Sequence, residues 1–326
     1  MKRRQFISLL GSAAGWPLGS AAQTHGERVV RLGLLRATTS QQRDFEAFME
    51  GLRGLGYLPG KHINIEPRHA DGVLSRLPEL ASELVRWGPD IVVVDGNPSA
   101  AAMRAATSGN PLPIVFVVVA DPVRLGFAAS LSRPGGMMTG LSNLAIDLGT
   151  KRVELLRAAV PNLSRLGVLV HPGNYWVEHR EQVHQAAQVL GLALDEHAAD
   201  KPIEVAPALE SLARSGAQAV LTINSPLFYS ERERIVTALN AARMPGMHPE
   251  REFVEVGGLM SYGIDFPAQW RRAAAYVDKI IRGVEPADLP VEQPARFEFI
   301  LNLGTARALN IEIPPILLAR ADEVIE

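Results

Sequence analysis

The residues best suited to chemistry in this sequence are polar side chains that directly follow short apolar runs. Asn97 and Ser99 come after the run "DIVVVDG". Asp121 comes after "PIVFVVVA", and Asn224 after "AVLTI". A hydroxyl and free backbone N–H groups at a helix start can hold a carboxylate, and an aspartate can hold an ammonium group. Because helix capping is the commoner role for such residues, we predict a binding site from their convergence and not from any one of them.

Aromatic side chains also fall near the predicted strand ends, although aromatic residues make up only 6% of the chain. They are Tyr175, Trp176, Tyr229 and Tyr262. Such rings can stack on a planar ligand. For each ring taken singly, packing in a core or between domains is the alternative interpretation.

The sequence contains no recognisable catalytic or cofactor-binding pattern. It has no cysteine, which excludes thiol nucleophiles, disulfides, cysteine-ligated zinc and iron–sulfur clusters. HExxH, Walker A and G-x-S-x-G patterns are absent, and the glycines after the first strand do not form GxGxxG. His179 and His184 are five residues apart, so they do not share a face of a helix. We therefore expect no cofactor, no metal site and no enzymatic activity.

The elements that position these residues alternate between strand and helix from Arg28 onward. Continuous apolar runs such as "DIVVVDG" and "LPIVFVVVAD" are typical of parallel strands covered by helices on both faces. The alternation pauses at "RPGGMMTGLSN" and then begins again. This pattern predicts an α/β chain with two doubly wound parallel-sheet lobes.

The end of the chain predicts how the two lobes are joined. A final helix and a final strand must complete lobes that already exist, so we expect three crossings, near Ser142, near Gly263 and around Pro286–Pro294. The predicted lobes are residues 28–142 plus 264–288, and residues 143–263 plus 289–326. Because parallel sheets bind ligands at the carboxyl ends of their strands, we expect a ligand cleft between the lobes at a three-strand hinge.

The N-terminus is predicted to be an export signal. Lys2, Arg3 and Arg4 precede a short apolar stretch interrupted by glycines, and small residues follow at Ser20-Ala21-Ala22. We expect cleavage after residue 22 and a twin-arginine signal, with a general secretory signal as the alternative. The mature protein is then expected in the periplasm, without a lipid anchor because there is no cysteine. The net charge is only −2, with no basic stripe, which disfavours nucleic acid as a partner.

Several longer segments together resemble one protein family. They are "GLRGLGYLPGKHINIE", "LPELASELVR", "PIVFVVVADPVRLGFAASLSRPGGMMTGLS", "GGLMSYGIDF" and "PPILLARADEVIE". Together these segments resemble the family of ABC-transporter substrate-binding proteins that includes the tryptophan/tyrosine-type binders. The resemblance implies the type I periplasmic binding protein fold, in which two lobes close on a ligand. It also implies a small-molecule ligand and a permease partner in the inner membrane. We expect the protein to be a monomer.

The resemblance also implies which residues meet the ligand. Amino-acid binders of this family hold the carboxylate and the ammonium between strand-end residues of both lobes. The corresponding residues here, with Tyr262 added from its strand end, are Thr38, Thr39, Asn97, Ser99, Asp121, Ser142, Asn174, Tyr175, Asn224, Tyr262 and Asp265.

The function expected from these observations is a periplasmic receptor of an ABC importer. It would capture a small solute, for which an amino acid with an aromatic side chain is one option, by hinged closure of the lobes. Two alternatives remain open at this point: an exported two-lobed α/β enzyme, and a sensor that presents its liganded form to a membrane signalling protein.

Overall fold

The computed structural model describes residues 28–38, 42–143, 148–173, 176–294 and 296–326. The predicted export signal, residues 1–22, lies outside this part. None of the helices in the described ranges is long and apolar enough to cross a membrane. The described residues form two α/β lobes, each built on its own sheet.

The first lobe contains a parallel five-stranded sheet in the order β2-β1-β3-β4-β5. Its strands are β1 Val30–Arg36, β2 Ile63–His69, β3 Ile91–Asp95, β4 Ile114–Val119 and β5 Met138–Ser142. Its helices are α1 Gln42–Gly54, α2 Leu77–Trp87, α3 Gly96–Ala106 and, from late in the chain, α10 Phe266–Ile281.

Helices cover both faces of this sheet, which is why its central strands are apolar without alternation. Leu34 and Val93 pack on one side with α1 and α10, where Phe48 meets Trp270 edge-on at 5.8 Å between ring centroids. The next residue of β3, Val94, packs on the other side with α2 and α3. Both cores are buried, as expected for a parallel sheet.

The second lobe contains a seven-stranded sheet in the order β12-β11-β10-β9-β8-β6-β7. Its strands are β6 Arg165–Val170, β7 Ala193–Ala198, β8 Ala219–Thr222, β9 Gly246–His248, β10 Met260–Ile264, β11 Phe297–Asn302 and β12 Glu323–Ile325. Its helices are α4 Leu148–Ala159, α5 Val177–Val189, α6 Pro202–Arg214, α7 Pro226–Ser230, α8 Arg232–Ala241, α9 Arg251–Glu255, α11 Leu303–Ala308 and α12 Pro315–Leu318.

The predicted fold class, α/β with two doubly wound lobes, is confirmed. One strand pair departs from the parallel pattern, since β11 runs antiparallel to β10. The chain enters β11 directly from the first lobe and not through a helix of the second, so no crossover forces the parallel direction.

The chain passes between lobes after β5, after β10 and once more before β11. The segment before the third passage stays with the first lobe: Thr139 Oγ1 donates to the Leu289 carbonyl oxygen at 2.6 Å, and the Glu292 N–H to the Gly140 carbonyl oxygen at 3.0 Å. The third passage therefore lies after Glu292, later than the predicted boundary at 288/289, because residues 289–292 line the edge strand β5.

Strand β5 approaches β4 unusually closely at Gly140. Gly140 has a φ of +149°, and a Cβ there would lie 1.9 Å from the carbonyl oxygen of Phe116. The register between β4 and β5 shifts at this point, and Val118 has a φ of +60°. A positive φ is strained for a β-branched residue. Val118 borders the space between the lobes, so this irregularity shapes the interlobe surface.

We predict that Gly140→Ala lowers the free energy of unfolding by more than about 3 kcal/mol or prevents folding, because the backbone of β4 must move to admit the methyl group. Gly136→Ala is the matched control, since Gly136 is exposed and no atom lies within 4 Å of its added Cβ. The control should change stability by less than about 0.5 kcal/mol. Urea unfolding followed by circular dichroism measures both, and equal stability of the two variants would contradict the proposed clash.

Candidate functional site

A cavity lies between the two lobes, at the carboxyl ends of strands from both sheets. Its volume is about 690 Å³, which includes the part that is open to solvent. First-lobe residues that follow β1, β3, β4 and β5 line it, together with the start of α10. Second-lobe residues that follow β6, β8 and β9 line the opposite side. The cavity therefore occupies the crevice where parallel sheets bind ligands.

A buried arginine organises the first-lobe wall. Arg36, the last residue of β1, is fully buried, and its Nε donates to Asp95 Oδ2 at 3.0 Å. Its Nη2 donates to Asp44 Oδ2 at 3.1 Å, and its guanidinium lies 4.7 Å from the ring centroid of Trp270. Asp95 Oδ1 also accepts the backbone N–H of Ala37 at 3.0 Å. These bonds hold α1, α3 and α10 around the end of β1.

Three carboxyl groups of the wall, Asp44, Glu250 and Glu252, have pKa values that burial raises. Burial raises the pKa of Asp44 to about 7, against the lowering effect of Arg36, and the carboxylates of Glu252 and Asp95 add to the rise. Burial also raises the pKa of Glu250, which follows β9. Glu252 and Asp44 repel charge on Glu250, whereas Arg152 and Arg232 favour it. The cavity thus holds buried carboxyl groups that resist ionisation.

Several buried polar atoms that face this cavity have no hydrogen-bond partner among the described residues. They are Asp44 Oδ1, Asn143 Oδ1, His179 Nδ1 and Glu250 Oε2. Three of the four are oxygen acceptors, and burial lowers the pKa of His179 to about 4, so its ring is neutral at pH 7. An unpaired buried polar group costs stability. A ligand rich in hydrogen-bond donors would satisfy them.

Aromatic rings provide the apolar part of the wall. Phe266 and Trp270 come from α10 on the first-lobe side, and Trp176 and Tyr229 from the second lobe. The ring of Trp176 also packs on His171, with centroids 4.0 Å apart. A ligand with an apolar or planar body would be held between these rings.

Three of the residues predicted from sequence border the cavity: Thr38, Asn97 and Asn224. Thr38 Oγ1 donates to Asp95 Oδ2 at 3.4 Å. Asn97 Oδ1 accepts the N–H of Ala120 at 2.8 Å, and Asn224 Nδ2 donates to Glu250 Oε1. Each of these side chains therefore orients another part of the wall.

Five other predicted residues lie away from the cavity lining. Ser99 is buried in α3. Asp121 accepts the N–H groups of Val123 and Arg124 as a turn cap, and Asp265 accepts the Ala268 N–H at the start of α10. Ser142 Oγ donates to the Ala120 carbonyl oxygen at 3.0 Å, and Tyr262 packs on Phe297 at 6.2 Å. The remaining three, Thr39, Asn174 and Tyr175, lie outside the described residues.

The acidic side of the cavity was missed by sequence reasoning. Glu250 follows β9, a strand of only three residues that leaves no recognisable apolar run. Asp44 lies in the first turn of α1, where an acidic residue normally indicates only a favourable helix dipole. Trp270 has the spacing of a core residue in the amphipathic α10 and serves as both core and wall.

The two lobes touch beside the cavity. Arg43 Nη1 of α1 lies 2.5 Å from Glu255 Oε1 of α9. Leu74 of the first lobe packs against the apolar core of the second. A Cβ on Gly72 would lie 3.3 Å from the Cα of Leu227 in α7. These contacts correspond to a closed arrangement of the lobes.

Comparison with known proteins identifies the family. The family model described as ABC transporter substrate binding protein matches residues 38–325. The chain belongs to this family. The expected family and the expected role, a substrate-binding protein of an ABC transporter, are therefore confirmed, and family membership implies a small-molecule substrate and a transporter partner.

Individual relatives of this binding protein are similar over most of their length. The tyrosine-binding protein of Clostridioides difficile (strain R20291) is 28% identical over 272 residues, which cover 82% of this chain and 76% of the relative. A conserved domain protein of Vibrio cholerae has a TM-score of 0.85 at 28% identity, covering 91% of this chain and all of the other. An ABC domain from Streptococcus pneumonia in complex with L-Trp has a TM-score of 0.84 at 25% identity, with the same coverage.

We predict that the ligand-free binding protein loses stability between pH 4 and pH 7 partly through Asp44. The folded protein keeps the Asp44 proton up to about pH 7, whereas the unfolded chain releases it near the ordinary value of 3.8. The unfolded state therefore binds fewer protons in this window, so the free energy of unfolding falls as pH rises.

Asp44→Asn removes this titration. Relative to the wild type, the variant should therefore become more stable as pH rises from 4 to 8, by an amount that levels off above pH 7. Urea unfolding of both proteins across this range measures the difference. Parallel stability profiles would show that the pKa of Asp44 is not raised in the folded state.

Proposed function

We propose that this protein is an exported receptor that captures a small solute bearing an amino group and delivers it to the permease of an ABC importer. The observation that carries the proposal is the interlobe cavity, whose buried unpaired acceptors come from both lobes. A donor-rich ligand that reaches Asp44 and Glu250 together contacts both lobes at once. Such contacts exist only when the lobes are closed, so they favour the closed state.

The nature of the wall supports binding over catalysis. Arg36 holds Asp44 and Asp95, Asn224 holds Glu250, and the sequence offers no cysteine and no recognised catalytic pattern. The relatives named above are described by what they bind. We propose accordingly that the protein is not an enzyme, works as a monomer without a cofactor, and has no nucleic-acid partner.

Export is part of the same proposal. The segment "KRRQFISLLG" has the paired arginines and the short apolar stretch of a twin-arginine signal. A substrate-binding protein of an importer has to meet its solute outside the cytoplasm. We propose cleavage after residue 22 and a periplasmic location without a lipid anchor.

The aromatic wall and the relatives together suggest which solutes to test first. The named relatives bind tyrosine and tryptophan. Here Trp176, Tyr229 and Trp270 offer rings to an aromatic solute, while Glu250 and Asp44 offer acceptors to its amino group. We propose aromatic amino acids and aromatic amines as the leading solutes.

We predict that a panel of amino acids and amines will contain members that raise the melting temperature of the mature protein and reduce its radius of gyration in solution scattering. Asn224→Ala should weaken their binding by about tenfold, because the side chain that fixes Glu250 is lost. Asn162→Ala is the control, since Asn162 is exposed on the second lobe far from the cavity. Failure of every panel member to bind and close the protein would contradict the proposed capture.

A further inference from the structure

The interlobe cavity presents acidic side chains on both of its sides. Asp44 and Asp95 line it from the first lobe, and Glu250 and Glu252 from the second. No lysine or arginine is among the described residues that line it. The internal segments outside the described residues are 39–41, 144–147, 174–175 and 295, and by sequence they contain no basic residue either.

The arginines nearest to the cavity are engaged behind the wall. Arg36 bonds to Asp44 and Asp95. Arg152 Nε donates to the Tyr262 carbonyl oxygen at 2.7 Å, and Arg232 Nη1 to the Tyr229 carbonyl oxygen at 3.0 Å. None of these three lines the cavity. A ligand carboxylate would therefore meet four carboxyl groups with no cation at the surface to receive it.

Helix starts, the usual alternative anion sites, are also poor in donors here. Three of the helices that begin at the cavity have a proline in the first turn, which removes a backbone N–H: Pro98 in α3, Pro226 in α7 and Pro267 in α10. The other starts, of α5 after Trp176 and of α9 after Glu250, have no proline. In addition, the Asp95 carboxylate stands at the start of α3.

Side-chain caps use further donors at two of these starts. Ser225 Oγ accepts the Leu227 N–H at the start of α7, and Asp265 Oδ1 accepts the Ala268 N–H at the start of α10. At α7 and α10 the proline and the cap therefore leave fewer free N–H groups for a ligand anion.

Unpaired acceptors, by contrast, are deeply buried at this surface. Asp44 is 1% exposed, Glu250 5% and Asn143 8%, and each has one oxygen without a partner in the described part of the chain. Two of these three oxygens belong to carboxyl groups. A buried carboxylate is favoured only beside a positive charge or several donors.

We propose that the cavity selects a ligand of net positive charge, an ammonium or guanidinium group on an apolar or planar body, over the zwitterionic amino acid of the same shape. This inference rests on the proposed function and narrows its solute class. The cationic head would lie between Asp44 and Glu250, and the body between the rings of Trp176, Tyr229 and Trp270. A free amine lacks the carboxylate, for which the described residues that line this cavity offer no lysine or arginine.

Matched probes that differ only in charge test the proposal. Calorimetric titration compares tyramine, tyrosine and hydroxyphenylpropionate, then tryptamine with tryptophan, and agmatine with arginine. We expect at least one amine or guanidine without a carboxylate to bind about tenfold or more tightly than its zwitterionic partner, and the anion not to bind. Equal or tighter binding of every zwitterion would overturn the proposal, as would failure of all the decarboxylated probes to bind.

Proton release provides a second readout. A cation between Asp44 and Glu250 stabilises their ionised forms, so at pH 7 binding should release protons, detected as a dependence of the binding heat on the ionisation enthalpy of the buffer. The charged groups that face Asp44 are Arg36, Asp95 and Glu252, and those that face Glu250 are Arg152, Arg232 and Glu252. These neighbours are the same in the free and the bound protein, so a change in protonation on binding is assigned to the cation.

Variants assign the released protons to these two groups. Asp44→Asn and Glu250→Gln should each reduce the release, and the exposed control Glu210→Gln should leave it unchanged. Unchanged release in both cavity variants would contradict the assignment of the cation to this pair. Tyrosine binding with lobe closure but without tyramine binding would overturn the charge selectivity and leave the proposed capture intact, whereas absence of closure with all solutes would remove the capture itself.

Discussion

The buried ion pairs of Arg36 are the interaction on which the arrangement of the first lobe depends. Arg36 lies at the end of β1 with almost no exposure, and it joins Asp44 of α1 to Asp95 at the start of α3. Removing one partner from a buried pair typically costs about 3–5 kcal/mol, because the other charge is left without compensation. The same interaction that fixes these helices also brings the carboxyl groups of Asp44 and Asp95 to the cavity wall, where Asp44 Oδ1 has no partner among the described residues. Stability and ligand recognition are therefore supplied by one set of contacts.

The hinge gives these contacts their functional consequence. The chain passes between the lobes three times, after β5, after β10 and before β11. The segment before the third passage, residues 289–292, is hydrogen-bonded to β5. Motion about such passages changes the distance between Asp44 and Glu250 while leaving the two sheets intact. Closure without a ligand places carboxyl groups near each other in a buried space, which raises their pKa values. Burial and mutual repulsion thus oppose ionisation of these carboxyl groups in the closed arrangement, and a positive ligand would remove that opposition.

The fold can be predicted from the sequence more completely than the site, because buried strands leave a local pattern and the site residues do not. Buried parallel strands such as Ile91–Asp95 need continuous apolar side chains, so they are visible in one sequence. The strand-end rule then locates Thr38, Asn97 and Asn224 at the cavity. Glu250 follows a strand of three residues, and Asp44 lies inside a helix, so neither stands at a recognisable strand end.

The same limit explains the residues that lie away from the cavity. Asp121 and Asp265 are local caps whose hydrogen bonds span two or three residues. A cap and a ligand-binding aspartate have the same local sequence, and only the tertiary direction of the side chain separates them. The third passage lies within the predicted stretch Pro286–Pro294, but its exact place is not visible in the sequence, since pairing of Glu292 with β5 depends on contacts across 150 residues of chain and not on local pattern.

The chemistry of this cavity also bears on how one fold serves different solutes. One relative is named a tyrosine-binding protein and another was solved in complex with L-Trp, to which this fold aligns with a TM-score of 0.84. A shared backbone leaves the ligand to be decided by the charges and donors that the strand ends present. In this chain prolines and side-chain caps consume the donors at three helix starts, and carboxyl groups face the space from both lobes. Selectivity then follows from the groups that the described wall presents: it offers an anion no lysine or arginine, whereas a cation can pair with the buried carboxyl groups.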